Sequence, residues 1–231
     1  MQLEPVQARI LRLKASVEQA LRAAERPADS VEIVLVTKTI APEKIQEALS
    51  CGMRDFGESR VQELLDKQER LPGDKIRWHF IGHLQTNKVK QVLGRASLIH
   101  SLDRLELAEE IERQAVLKNI KSVPCLVQVN SSGEASKFGL KPEAVEEFVL
   151  GLKGPAVQIF GLMTIGPLTE DREKIRRAFR SLQELRQKLK ARFPDKNWET
   201  ISMGMSQDYE MAIQEGTTLI RIGTAIFGER N

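Results

Sequence analysis

Much that would mark a common function is scarce in this 231-residue sequence. It holds two cysteines, Cys51 and Cys125, in no Cys-x-x-Cys pair. Two are too few for a disulfide framework, so both read as reduced, buried thiols of a cytoplasmic protein. Of its three histidines, His79 and His83 are four apart, but Gly82 lies between them at a strand-to-helix turn. They therefore do not share a helical face as in a zinc helix, and no metal site is expected. Lys and Arg number 35 against 32 Asp and Glu, a net charge of only +3. The two signs are interleaved, as in residues 104–110, which argues against a nucleic-acid footprint. There is no Gly-x-x-x-x-Gly-Lys-Ser/Thr loop and no Gly-x-Gly-x-x-Gly fingerprint, which removes sequence support for ATP or dinucleotide binding. No apolar run approaches the length of a bilayer span. Residues 6–13 read as the start of an amphipathic helix rather than as an apolar leader. The expectation is a cytoplasmic protein with no membrane segment.

What the sequence does have is a regular alternation of two textures. Hydrophobic residues make up 41%, enough for a sizeable core. Val6, Ile10, Leu13, Val17 and Leu21 recur at spacings of three and four, predicting a helix over 6–26. Short apolar, β-branched runs follow at 31–37, 55–57, 76–81, 98–101, 124–130, 157–163, 199–202 and 219–222. Such runs suit strands buried on both faces. Helical segments are expected at 43–50, 60–70, 84–93, 103–119, 142–151, 171–191 and 206–215, with Asp103 and Ser206 as N-cap candidates. The last strand leads only to a short tail. Strands alternating with helices imply a parallel sheet. Eight units in this length favour a single (β/α)8 barrel domain over 1–231, with an extra N-terminal helix, over an open doubly wound sheet.

In such barrels the chemistry sits at the C-terminal ends of the strands. That rule nominates Lys38, Glu58, Ser59, His79, Gly82, Ser101, Asn130, Met163, Thr164, Ser202, Gly204, Arg221, Gly223 and Thr224. Lys38 ends the most apolar strand. A desolvated ammonium has a lowered pKa, and its neutral amine can attack a carbonyl to form an imine; the alternative is a lysine that snorkels into solvent. Residues 201–206 and 220–224 leave the last two strands, where barrels often bind phosphate. Their Ser, Gly and Thr residues let backbone N–H groups approach an anion, hydroxyls can donate, and Arg221 adds a fixed charge. Trp78 and Trp198 suit the core or barrel wall.

Taken together, Leu35-Val36-Thr37-Lys38, Phe56-Gly57-Glu58-Ser59, the run from Trp78 to Lys88, Glu134-Ala135-Ser136-Lys137-Phe138-Gly139, Gly161-Leu162-Met163-Thr164-Ile165, Ser202-Met203-Gly204-Met205-Ser206 and the run from Arg221 to Gly228 are recognisable. In this order the chain resembles the pyridoxal phosphate homeostasis protein family, related to the N-terminal barrel of alanine racemase. The resemblance implies pyridoxal 5′-phosphate (PLP) held as a Schiff base on Lys38. It implies that Ser202, Gly204, Gly223 and Thr224 hold the phosphate, with Met203 in the same loop. Arg221 would lie near the phosphate or the pyridine nitrogen, and Ser59, His79 and Met163 would line the site. It further implies a monomer that carries or buffers PLP for vitamin B6 and amino-acid homeostasis, possible delivery to PLP-dependent apo-enzymes, and no established catalytic turnover. Ser59 departs from the family's usual Asn, which puts a direct contact from that position in doubt. Lys137 matches a family lysine discussed as a second PLP contact, although its polar surroundings favour a solvated loop lysine. Tyr209, the sole tyrosine, falls in a predicted helix, so it is a poor candidate for a racemase's second base. A narrow PLP-dependent racemase or lyase remains the alternative. A lysine-dependent aldolase, which would need no PLP, is a third reading.

Overall fold

The computed structural model describes residues 4–73, 75–134 and 137–228. Eight parallel strands close into one barrel in chain order. They are β1 (Glu32–Val36), β2 (Asp55–Glu58), β3 (Arg77–Phe80), β4 (Leu98–Leu102), β5 (Val123–Gln128), β6 (Val157–Met163), β7 (Thr200–Ser202) and β8 (Leu219–Ile222). Closure is made by β1 against β8, with Val34 opposite Arg221 and Leu35 opposite Ile222. The eight predicted runs all become these strands.

Alternation along the strands divides two cores. Side chains facing the surrounding helices, such as Leu35, Phe56, Trp78, Phe80, Ile99, Leu162 and Ile201, join one large apolar cluster. Inward-facing Val34, Leu98, Leu126, Met163 and Leu219 form a small second cluster inside the barrel, with Phe160 against it. These apolar side chains do not fill the barrel, and buried Asp55, His79, His100, Ser202 and Arg221 share its interior. The pairing of β5 and β6 slips between Cys125 and Leu126, so Phe160 is the extra residue of a bulge. The bulge resets the alternation and lets both Phe160 and Met163 face inward.

The helices are α1 (Val6–Ala23), α2 (Pro42–Ser50), α3 (Val61–Arg70), α4 (Val89–Val92), α5 (Leu105–Leu117), α6 (Val145–Gly151), α7 (Arg172–Arg192), α8 (Tyr209–Gln214) and α9 (Thr224–Phe227). The extra N-terminal helix α1 buries its predicted stripe, Val6, Ile10, Leu13, Val17 and Leu21, and packs on α2, α8 and α9.

Three local expectations are corrected. The segment 84–93 is a single 3-10 turn followed by the four-residue α4, not a full helix. The tail after β8 contains α9. Neither proposed cap is made. Helix α5 starts after Arg104 with no side-chain cap, because Asp103 pairs with the Arg104 guanidinium at 2.6 Å. The Ser206 hydroxyl instead accepts N–H groups of the last loop. Asp171 does cap α7, accepting from the N–H groups of Glu173 and Lys174. Among the described residues, no helix is long and apolar enough to cross a membrane.

Candidate active site

Lys38 follows β1 on a tight turn, half-buried at the C-terminal mouth. The residues on both sides of it are pinned by α3. Lys67 Nζ donates to the Thr37 carbonyl at 2.6 Å, to Glu58 Oε1 at 2.6 Å and to Glu63 Oε2 at 3.2 Å. Thr37 Oγ1 donates to the same Glu58 oxygen at 2.6 Å, and the Thr39 N–H donates to Glu63 Oε2 at 2.6 Å. Thr39 has φ +65°, a left-handed conformation that a β-branched residue adopts only when its surroundings impose it. Glu58 is fully buried and Lys67 is 5% exposed, so this is an ion pair inside the protein. Burial pushes the Glu58 carboxyl above its ordinary range, opposed by Lys67 and Thr37. Burial also works upward on Glu63, but the Thr39 N–H and Lys67 outweigh it and hold Glu63 below its ordinary value.

Inside the barrel a chain of polar contacts runs from the first residue of β2 to the mouth. Asp55 takes both Arg77 Nε and Arg77 Nη2 at 2.6 Å, and its Oδ1 lies 3.1 Å from His79 Nε2. His79 Nδ1 is 3.0 Å from His100 Nε2, and His100 Nδ1 is 3.2 Å from Ser202 Oγ. Arg221 Nη1 donates to Ser202 Oγ at 2.5 Å, and Nη2 donates to the Thr164 carbonyl at 2.8 Å. Burial works upward on the Asp55 carboxyl, but His79 and Arg77 outweigh it and leave the group below the usual carboxylate value. Burial, with His79 and Arg221 nearby, drives His100 well below the ordinary imidazole value. Burial also lowers Arg221 to about 10, against a pull upward from the Asp208 carboxylate.

The loops after β7 and β8 meet beside Arg221. The N–H groups of Gly223 and Ala225 converge on Ser206 Oγ at 3.3 and 3.2 Å. Met205 N–H donates to Asp208 Oδ1 at 2.5 Å. Gly204 has φ +92°, and a Cβ there would lie 2.6 Å from the Ala212 Cβ, so this turn needs glycine. Thr224 is exposed at the start of α9.

Arg221, Ser202 and Met163 are thus brought together, with Lys38 at the end of the strand paired to β8. Two expected contacts take other roles. Ser202 is fully buried with its hydroxyl turned to Arg221 and His100, so the side chain serves the barrel interior rather than donating outward. His79 has both ring nitrogens engaged below the mouth and reaches the site only through His100 and Ser202. Met203 is buried in the outer core, leaving its loop to act through the backbone. Ser59 packs by its backbone against Gly82, where a Cβ would lie 2.1 Å from the Ser59 carbonyl oxygen.

Lys137 is not a solvated loop lysine. Its Nζ reaches Glu134 at 2.8 Å and the Gly166 carbonyl at 2.7 Å, tying the loop after β5 to the loop after β6. Ala135 and Ser136 of the same motif lie outside the described residues. Tyr209 sends its hydroxyl to Ser16 of α1 at 2.9 Å. A cleft of about 710 Å³ between α2 and the end of α3 holds none of these residues, so the chemistry points to the mouth.

Sequence reasoning passed over Asp55, His100 and Lys67. Two of them had a signal: His100 is an ionisable residue at the centre of a buried strand, and Lys67 occupies the apolar stripe that Leu64 sets on α3.

Residues 11–231 match the family described as alanine racemase, N-terminal domain. A pyridoxal phosphate homeostasis protein of Aquifex aeolicus is 45% identical over 223 residues, covering 96% of this chain and 97% of its own. The crystal structure of a protein of unknown function from Bifidobacterium adolescentis superimposes with a TM-score of 0.88 at 34% identity, over 96% of this chain and 94% of that one. PipY of Synechococcus elongatus, solved with PLP bound, gives a TM-score of 0.79 at 32% identity, over 92% of this chain and all of its own. The matches extend over nearly the whole chain, and the chain belongs to the pyridoxal phosphate homeostasis protein family.

Proposed function

We propose that this chain binds PLP at the C-terminal mouth of its barrel, linked through Lys38, and works as a monomeric cytoplasmic carrier or buffer of that cofactor. The whole of 1–231 serves this as one barrel domain. The observation that carries the reading is the meeting of three features at one mouth: a lysine on a clamped turn, a buried arginine, and backbone N–H groups aimed at one point.

The residues present fit the group. Gly223 and Ala225 offer two converging N–H donors, now accepted by a hydroxyl, which suit a phosphate oxygen equally well. The glycine turn at 204 lets the backbone come close. Ser202, Met203, Gly204, Gly223 and Thr224 would hold the phosphate end through these two loops, Ser202 chiefly by fixing Arg221. Ser59, His79 and Met163 support the walls and floor. Bound there, PLP supplies a carbonyl that reacts with amines and a ring that accepts electrons.

The chain's own residues favour holding over turnover. Arg221 carries a permanent cation in the interior, and its hydrogen-bond acceptors are a hydroxyl and a carbonyl. Tyr209 faces α1, which removes the sole tyrosine from the mouth.

The test is transfer. PLP-loaded protein is given to a PLP-dependent apo-enzyme in the presence of a phosphatase that destroys free PLP. Activation that survives the phosphatase supports a carrier. Loss of all PLP on gel filtration of the loaded protein overturns the reading.

A further inference from the structure

The contacts inside the barrel admit one continuous proton order that leaves both histidines singly protonated. Asp55 is ionised and held by Arg77, so it can only accept, and the proton on the 3.1 Å contact must sit on His79 Nε2. In this order that is the ring's one proton, and Nδ1 is an acceptor. The 3.0 Å contact to His100 needs one proton, which must sit on His100 Nε2. His100 Nδ1 becomes an acceptor in turn, and Ser202 must give it the hydroxyl proton. Ser202 Oγ is left to accept from Arg221. Every donor points the same way, from the arginine at the mouth to the carboxylate at the start of β2.

We propose that Asp55, His79, His100 and Ser202 form a one-way hydrogen-bond chain, ordered by Asp55, and that these four are positioning residues that fix Arg221 in the mouth. The geometry is complete: all four side chains are buried, and each link lies within hydrogen-bond distance. Arg221 needs such support. It is 5% exposed, and its guanidinium donates to two neutral oxygens, the Ser202 hydroxyl and the Thr164 carbonyl. A buried cation is costly unless its surroundings are polarised to receive it. Aligned donors ending on a carboxylate polarise one another and carry part of that compensation across the barrel. Ser202 is the last link, and the direction of its proton is set by a residue on a different strand. The consequence for cofactor binding rests on the PLP reading above, but the proton order does not.

The experiment therefore has two arms. Histidine ¹⁵N–¹H NMR on the cofactor-free protein reads the tautomers directly. The chain has three histidines, and exposed His83 serves as the internal reference. The expected result is a pure Nε2–H tautomer for both His79 and His100. In Asp55→Ala both should become mixtures, because the acceptor that orders them is gone, while Arg77, 60% exposed, turns to solvent. Nδ1–H on His100, or a protonated His79, in the wild-type protein overturns the proposal. The second arm measures PLP dissociation from the wild type, Asp55→Ala and His100→Gln. Losing one ordered hydrogen bond to a charged group should weaken binding about tenfold. Ordered tautomers with unchanged PLP affinity in both variants would refute the positioning role. Absence of PLP binding in the wild type would refute the functional reading and leave the proton order standing on the first arm.

Discussion

Replacing Lys67 with methionine tests how the Lys38 turn is held. Methionine keeps the length of the stem but removes the charge, leaving Glu58 fully buried with no cation beside it. Breaking a buried pair from one side costs about 3–5 kcal/mol. For a chain of this size that corresponds to a loss of roughly 6–20 °C in melting temperature. The loss should depend on pH with a definite sign. Burial already raises the folded-state value of Glu58 above that of the unfolded chain. Between the two values the native state holds more protons, so this group's contribution to stability falls as pH rises through that window. Lys67 is the attraction that limits the rise, and without it the window extends upward. The deficit of Lys67→Met should therefore be larger near pH 8 than near pH 5, where Glu58 is closer to neutral. Adding Glu58→Gln should recover much of the loss, because no uncompensated charge remains. The assay is thermal unfolding followed by circular dichroism across that pH range. A deficit of less than about 1 kcal/mol, flat with pH, would mean that the pair does not act as a buried ion pair.

Two other predictions follow from the packing. Gly82→Ala should destabilise the protein by about 3 kcal/mol or more, since the new Cβ would meet the Ser59 backbone and neither segment can give way cheaply; chemical denaturation would show it as a lowered midpoint. In the folded protein, burial pushes the Cys125 thiol far up, so iodoacetamide should label half-buried Cys51 at neutral pH and leave Cys125 untouched until denaturant is added. Mass spectrometry of the labelled peptides checks it.

The barrel itself was legible because strand residues buried on both faces are mostly apolar, and eight such runs separated by helical periodicity allow few other arrangements. The Lys38 turn and the two late loops were legible for the same reason, once strand ends were known. What the sequence did not reveal was direction. Ser202 and His79 were expected to face the cofactor, but their hydroxyl and ring nitrogens are spent inward, His79 on the two neighbouring strands and Ser202 on a strand far apart in the chain. Pairings such as Ser202 with His100 depend on closure of the barrel and leave no trace in local spacing. The helix caps failed for a similar reason. Asp103 and Ser206 had the right residue types, but Arg104 and the N–H groups of α9 offered them better partners. Lys67 was overlooked because lysine on a helix is ordinarily a solvated residue. Its place on the buried stripe was the one available sign.

The most direct test of the central claim is the visible absorbance of the protein titrated with PLP, compared with Lys38→Ala, before and after borohydride. The account predicts a band that borohydride fixes to the Lys38 peptide in the wild type and that is absent from the variant. A colourless protein that takes up no PLP, or an equal band in Lys38→Ala, would contradict it.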